Sequence, residues 1–240
     1  MPPPEDVTPE ELERCPFCAG REDRTPPETL RIGDPWRVRV VPNLYPAFDR
    51  QEVVVHSPEH VRCFADLDEI QIESLAEAWQ HRIDAAAAEG FGYVHALINE
   101  GRLAGSSLPH SHSQLVVLQE VPPPVAAEDR GALDGMLRHE NLRVLERNET
   151  IALVHPAGAS PYESLVLGSS LGGLLGALRE LVERVRVAEG PFAWNAWLHG
   201  TVPAHLHFVP RLTALAGVEL GAGLYVNAVP PEQAAEKLRA

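Results

Sequence analysis

Ser106-Ser107-Leu108-Pro109-His110-Ser111-His112-Ser113-Gln114 runs directly into the apolar stretch Leu115-Val116-Val117-Leu118. Gln114 and the run after it read as a β-strand. Alternate side chains of a strand share a face, so His110, His112 and Gln114 are expected to point the same way. Two imidazoles and an amide on one strand face do not suit a dry core, because burying an unpartnered polar group costs a few kcal/mol. They call for a metal, a ligand or one another. A neutral imidazole is a good nucleophile towards activated phosphorus and a workable leaving group, so this strand can carry a nucleoside phosphate covalently. Gln114 is placed to donate to phosphoryl oxygens, and the small residues Gly105, Ser106 and Ser107 let backbone approach a phosphate. The plainer alternative is a pair of structural histidines on a half-buried strand.

Working outward, alternation predicts strands over 36–41, 52–56 and 93–98, with a long amphipathic helix over 66–89 ended by Gly90. Residues 1–30 read as irregular apart from a short helix over 9–14. The second half repeats the order: strands over 151–154 and 164–167, a helix over 171–189 closed by Gly190, and a strand over 192–198. A second Pro-x-His-x-His strand follows, Pro203-Ala204-His205-Leu206-His207-Phe208, and a helix over 230–239 closes the chain. This recurrence predicts an internal duplication, with a first module over 1–121, a second over 122–240, and a charged connector over 122–149. Gln114 stands two residues after His112, whereas Val209 stands two after His207. One half therefore reads as catalytic and the other as kept for structure or metal binding.

The 240 residues carry a net charge of -14, which argues against a broad nucleic-acid surface. No apolar run is long enough to cross a bilayer, and the acidic, Pro-rich opening Met1-Pro2-Pro3-Pro4-Glu5-Asp6 is the opposite of a signal peptide. A cytoplasmic location is the expectation. Cys15-Pro16-Phe17-Cys18 has the spacing of a metal or redox motif. A redox motif of this kind would follow a strand and open a helix, so half a zinc site is the better reading of a polar, Pro-rich segment. Cys63 reads as a buried filler, and His56, His81, His95, His139 and His155 as ordinary core or surface residues.

The chain resembles the galactose-1-phosphate uridylyltransferase family, the two-module branch of the histidine-triad superfamily. The resemblance is carried by collinear stretches: Cys15-Pro16-Phe17-Cys18, Val41-Pro42-Asn43, Ser57-Pro58-Glu59-His60, Asn99-Glu100-Gly101 and Gly105 through Gln114. It continues in Glu128-Asp129-Arg130, His199-Gly200, His205-Leu206-His207-Phe208-Val209-Pro210 and the closing 232–239. It implies an α+β fold of two tandem histidine-triad-like modules, antiparallel sheets meeting in one continuous or half-barrel sheet with long helices packed on them. It implies a ping-pong nucleotidyltransferase moving a nucleoside monophosphate between a nucleotide sugar and a hexose 1-phosphate, with UDP-glucose and galactose 1-phosphate as the expected pair. An adenylyl-sugar or dinucleoside polyphosphate phosphorylase would use the same nucleophile, and a non-catalytic nucleotide-sugar binding protein is the third reading.

In residues, the resemblance makes His112 the nucleophile, Gln114 a contact of the transferred phosphoryl group, and Asn43, Asn99, Gly105, Ser106 and Ser107 substrate contacts. It implies zinc on Cys15, Cys18, His60 and His110, and a second metal, iron or zinc, on Glu128, His199, His205 and His207. It also implies a homodimer. The usual H-P-H-G-Q motif has Ser111 and Ser113 in place of Pro and Gly, both expected to face away from the site. The arginines that usually precede the cysteine pair are missing, leaving Arg31, Arg37 and Arg39 as candidate replacements. The segment Gly221-Ala222-Gly223-Leu224-Tyr225-Val226-Asn227 also departs from the family pattern, and the chain is shorter than typical members.

Overall fold

A computed structural model describes residues 7–200 and 204–240. Among these described residues ten strands form a single antiparallel sheet: β1 Leu30–Ile32, β2 Val38–Pro42, β3 Gln51–Val55, β4 Tyr93–Glu100 and β5 His112–Leu118 in the first half. The second half supplies β6 Arg143–Arg147, β7 Thr150–Val154, β8 Ser164–Leu167, β9 Trp194–His199 and β10 His205–Pro210. Among the described residues seven helices accompany them: α1 Pro9–Arg14, α2 Glu69–Ala88, α3 Pro123–Ala126, α4 Arg130–Met136, α5 Leu171–Glu189, α6 Gly217–Ala222 and α7 Pro231–Arg239.

The sheet order is β1-β2-β3-β5-β4-β9-β10-β8-β7-β6. Read inward from either edge, the two halves have the same order, and they meet where β4 pairs with β9 through Leu97↔Trp197 and Asn99↔Asn195. The expected duplication of elements thus appears as one continuous sheet. Helices α2 and α5 lie on one face. Each starts on a side-chain cap that satisfies an otherwise orphaned backbone N–H: Asp68 accepts from Gln71 and Ser170 accepts from Gly173. Each presents an apolar stripe at helical spacing, Ile72, Leu75, Ala76 and Trp79 on α2, and Leu174, Leu178, Leu181 and Val185 on α5. These pack on Val54, Ile98, Leu115, Ala196, Leu206 and Phe208, the inward residues of five strands.

The helix over 171–189 is found where the periodicity puts it. The other long helix starts three residues later than expected, because Phe64–Asp66 forms a 3-10 turn and Asp68 caps the helix proper. Two edge strands escape the alternation reading. β1 is three residues long, and β6 sits inside the supposed connector, its Arg-Val-Leu-Glu-Arg sequence half exposed and broken by a register shift between Arg143 and Leu145. Edge strands bury one face only in part, so charged residues hide the pattern. Pro203 of the second Pro-x-His-x-His stretch lies outside the described residues, and β10 begins at His205.

Candidate active site

The face of the sheet opposite α2 and α5 is where polar residues collect. Cross-strand register aligns them in rows. Gln114, Leu97, Trp197 and His207 form one row across β5, β4, β9 and β10. Asn99 and Asn195 face each other one step towards the start of β5, and His112 extends that row. Burial on the helix side fixes this choice of face, since Ser113, Leu115 and Val117 alternate with His112 and Gln114.

One expected feature is corrected. His110 is not in the strand, which begins at His112. Ser111 donates its N–H to Val61 O at 2.6 Å and accepts the His56 N–H at 3.2 Å. The chain therefore turns before entering the ladder, and His110 swings towards the cysteines instead of sharing the face of His112 and Gln114. Ser111 and Ser113 do face away from the site, and both are engaged there. Ser111 Oγ lies 2.9 Å from His56 Nδ1, and Ser113 Oγ accepts the Trp79 indole N–H at 2.9 Å. The pair pins the His110–Gln114 segment to β3 and α2.

His112 is nearly enclosed, and burial lowers its pKa, so the ring is neutral. Its Nδ1–H donates to His110 O at 2.7 Å. That bond leaves Nε2 with the lone pair, the requirement for a nucleophile. Gln51 Nε2 donates to Gln114 Oε1 at 2.5 Å, which holds the amide oxygen and turns the Gln114 NH2 outward as a donor. Phe17, between the two cysteines, packs its ring 5.4 Å from that of His112 and 5.8 Å from that of His110.

A cavity opens beside His112, and Arg62, Asn99, Arg102, Ser106, Ser107 and His110 are among its lining residues. Gly101 at φ 84° and Gly105 at φ 92° bracket the 3-10 turn Arg102–Ala104 that forms its rim. Asn99 Oδ1 accepts from Asn195 Nδ2 at 2.8 Å, so a residue of the second half holds a cavity residue of the first. Asn43 is not among the cavity lining; its side chain caps a turn by accepting the Tyr45 N–H at 2.9 Å. The candidate replacement arginines are spent elsewhere. Arg39 and Arg31 bind Glu28, and Arg37 binds Ser74 on α2. Arg62 and Arg102, which sequence reading passed over, are the cations of the cavity.

Glu100 also reaches the cavity wall. Burial pushes its carboxyl up to about 7 despite donors at Phe64 N–H, 2.6 Å, and Trp194 Nε1–H, 2.8 Å. A carboxyl with a raised folded-state pKa binds more protons folded than unfolded between the two values, so stability falls as pH rises through that window. The thermal midpoint is expected to decline from about pH 4.5 to pH 7, and Glu100→Gln is expected to flatten that decline. A pH series of melting curves on both proteins checks this, and identical slopes would remove Glu100 as the cause.

Cys15, Cys18, His60 and His110 converge with ligand atoms within 4.8 Å of one another. Cys15 Sγ is 3.3 Å from His110 Nδ1, and Cys18 Sγ is 3.3 Å from His60 Nδ1 and 3.9 Å from His110 Nδ1. Tetrahedral zinc with ordinary bond lengths separates S from N by about 3.6 Å, so these residues fit the ion. Both rings also have the right tautomer. His110 Nε2–H donates to Ser57 O at 3.0 Å and His60 Nε2–H to Glu11 at 2.8 Å, which leaves both Nδ1 lone pairs facing the sulfurs. Burial and the neighbouring Cys15 thiol push the Cys18 thiol up to about 11, so two thiolates here need a cation beside them.

Glu128, His199, His205 and His207 form a second cluster within the same limit. Glu128 Oε1 lies 2.5 Å from His199 Nδ1, 3.4 Å from His205 Nε2 and 3.5 Å from His207 Nε2, while its buried Oε2 has no hydrogen-bond partner. Three imidazoles and a carboxylate suit zinc or iron. Three strand spacings, about 14 Å, separate β5 from β10. An ion at this cluster is therefore too far from His112 to act on the same phosphorus.

The family model for the galactose-1-phosphate uridyl transferase N-terminal domain matches residues 45–122. ADP-glucose phosphorylase of Arabidopsis thaliana is 26% identical over 291 aligned positions, covering 94% of this chain and 81% of that protein. Galactose-1-phosphate uridylyltransferase of Haemophilus influenzae is 29% identical over 130 positions, 48% of this chain and 37% of that protein. The crystal structure of an Arabidopsis ADP-glucose phosphorylase with bound ADP-glucose superposes with a TM-score of 0.83 at 26% identity, covering 97% of this chain and 94% of that one. Motifs, fold and relatives agree in their likeness to the galactose-1-phosphate uridylyltransferase family, whose N-terminal-domain model covers residues 45–122 of this chain.

Proposed function

We propose that this protein is a nucleotidyltransferase of sugar phosphates working as an adenylyl-sugar phosphorylase, with ADP-glucose as donor and inorganic phosphate as acceptor. The observation that carries the choice of base and acceptor is coverage. The likeness to ADP-glucose phosphorylase runs through 94% of this chain at 26% identity, and those to the uridylyltransferases of Haemophilus influenzae and Thermotoga maritima through 48% at 29% and 78% at 24%. The motif residues and fold are common to both readings, so the expected UDP-glucose to galactose-1-phosphate exchange is the second reading, favoured by the family model.

The chemistry follows from the cavity. His112 Nε2 attacks the α-phosphorus, the bond to the sugar-phosphate oxygen breaks, and glucose 1-phosphate leaves with the electron pair. The positive charge on the ring is eased by the Nδ1–H bond to His110 O. The Gln114 NH2, its orientation set by Gln51, donates to a non-bridging oxygen as charge builds there. A phosphate oxygen then displaces Nε2 from the same phosphorus and yields ADP. The enclosure of His112 keeps water from the adduct between the two steps. Zinc on Cys15, Cys18, His60 and His110 is structural in this reading, fixing the segment from which His112 projects.

Supplying ADP-glucose or UDP-glucose with either phosphate or galactose 1-phosphate separates the readings. The proposal expects glucose 1-phosphate from ADP-glucose and phosphate at a rate at least about tenfold above the UDP-glucose and galactose-1-phosphate pair, a modest difference of about 1.4 kcal/mol in transition-state binding. The opposite ranking would establish the uridylyl reading.

A further inference from the structure

The cavity is joined to the cysteine–histidine cluster by a route the reaction chemistry does not use. Arg62 lines the cavity. Its Nε donates to Glu11 Oε1 at 2.6 Å and its Nη2 donates to Glu11 Oε2, a fork on a carboxylate. The same Oε1 accepts His60 Nε2–H at 2.8 Å, and His60 Nδ1 faces Cys18 Sγ. The side chains of Glu11 and Arg62 are 15% and 18% exposed, so water screens this pair less than it would a surface ion pair. One carboxylate therefore sets both a cluster ligand and a cavity cation.

We propose that Arg62 is a contact for the phosphates of the substrate, held by Glu11, and that through Glu11 and His60 anion binding in the cavity and zinc binding at the cluster strengthen each other. The proposal rests on the reading of the cavity as a nucleotide-sugar site and of the cluster as a zinc centre. In a chain of net charge -14, with Arg31, Arg37 and Arg39 engaged elsewhere, a guanidinium beside the nucleophile is the group a pyrophosphate needs. Without zinc the His60 ring loses its orientation and Glu11 loses a donor, so the Arg62 fork is released. A phosphate on Arg62 fixes the fork, and the same contacts then hold His60 towards the ion. Coupling of this kind is reciprocal by necessity. A second route from cluster to site exists, through His110 O and His112 Nδ1, and it does not involve Glu11.

Zinc release from the zinc-loaded full-length protein to a chromophoric chelator tests the proposal, with and without ADP-glucose. ADP-glucose is expected to slow release about five- to tenfold in the wild type. Glu11→Gln is expected to release zinc faster at baseline and to lose most of that protection. Arg62→Ala is expected to lose the protection as well, and Arg62→Lys to restore part of it, keeping the charge without the fork. Melting curves confirm that each variant is folded. Protection in Glu11→Gln and Arg62→Ala equal to the wild type would assign the coupling to the His110 route and overturn the proposal. Wild-type release unaffected across an ADP-glucose titration would overturn it too. Failure of the functional reading shows separately, as no adenylyl group on wild-type protein.

Discussion

His112→Ala is expected to abolish the covalent adenylyl-enzyme and to lower turnover by about four orders of magnitude or more, the loss seen when a nucleophile is removed from a covalent mechanism. The expectation rests on three contacts that all serve one nitrogen. Burial keeps the ring neutral, His110 O accepts the Nδ1–H hydrogen bond, and Phe17 packs beside the ring at a tilt, so Nε2 alone is left to react. Among the described residues no other imidazole meets these conditions at the cavity. His110 lines it too, but its Nδ1 faces the cysteines and its Nε2 is bonded to Ser57 O. Alanine is expected to be tolerated structurally because β5 keeps its ladder to β3 and β4 and the ring lies on the sheet face away from α2 and α5. Single-turnover rates with ADP-glucose and a melting curve check both halves of the statement. A variant that still accumulates adduct would move the nucleophile elsewhere.

The second large effect concerns the metal. Cys15→Ser is expected to release zinc and to destabilise the protein by about 3–5 kcal/mol, because loss of a structural metal is among the few single changes that reach this size. For a chain of this length that corresponds to a fall in Tm of roughly 10 °C. Cys15 and Cys18 flank Phe17, which with Trp36, Val41, Val53 and Val55 forms a small apolar cluster on the sheet face away from α2. An ion held by Cys15, Cys18, His60 and His110 would fasten this segment to the two histidines. Without it, Phe17 leaves the His112 ring and turnover falls with stability. Metal analysis and calorimetry of the purified variant decide the matter. A mutant holding a full equivalent of zinc at unchanged Tm would show that these four residues are not the ligand set.

Much of this arrangement was legible before any coordinates. The α5 helix reads from sequence over 171–189 with Gly190 as its stop, a signal whose chemistry is local. Cys15, Cys18, His60 and His110 come together as the resemblance implies, as do Glu128, His199, His205 and His207. What sequence could not carry is non-local. Glu11 sits in an ordinary acidic helix turn, and nothing in that turn marks a partner 51 residues on at Arg62. Gln51 earns its place only through register with β5, where it meets Gln114. Sequence reading gives Phe17 no role of its own between the cysteines, and its packing on His112 shows only in the fold. The turn at Ser111 was hidden because a strand pattern continues through it, while the N–H bonds Val61 instead of a neighbouring strand. Glu100 lay inside a quoted motif, but its enclosure by Phe64 and Trp194 depends on β4 meeting β9. Among the described residues no helix is long and apolar enough to cross a membrane, in line with the absence of such a run in the sequence.

The central claim is that His112 Nε2 carries a nucleoside monophosphate between donor and acceptor. Intact-protein mass after mixing the wild type with ADP-glucose, then again after adding phosphate, tests it most directly. The account predicts a gain of one adenylyl group that maps to His112, is absent from His112→Ala, and disappears on adding phosphate as ADP forms. An unmodified mass throughout a reaction that still releases glucose 1-phosphate would contradict it, since turnover would then pass through no covalent enzyme at all.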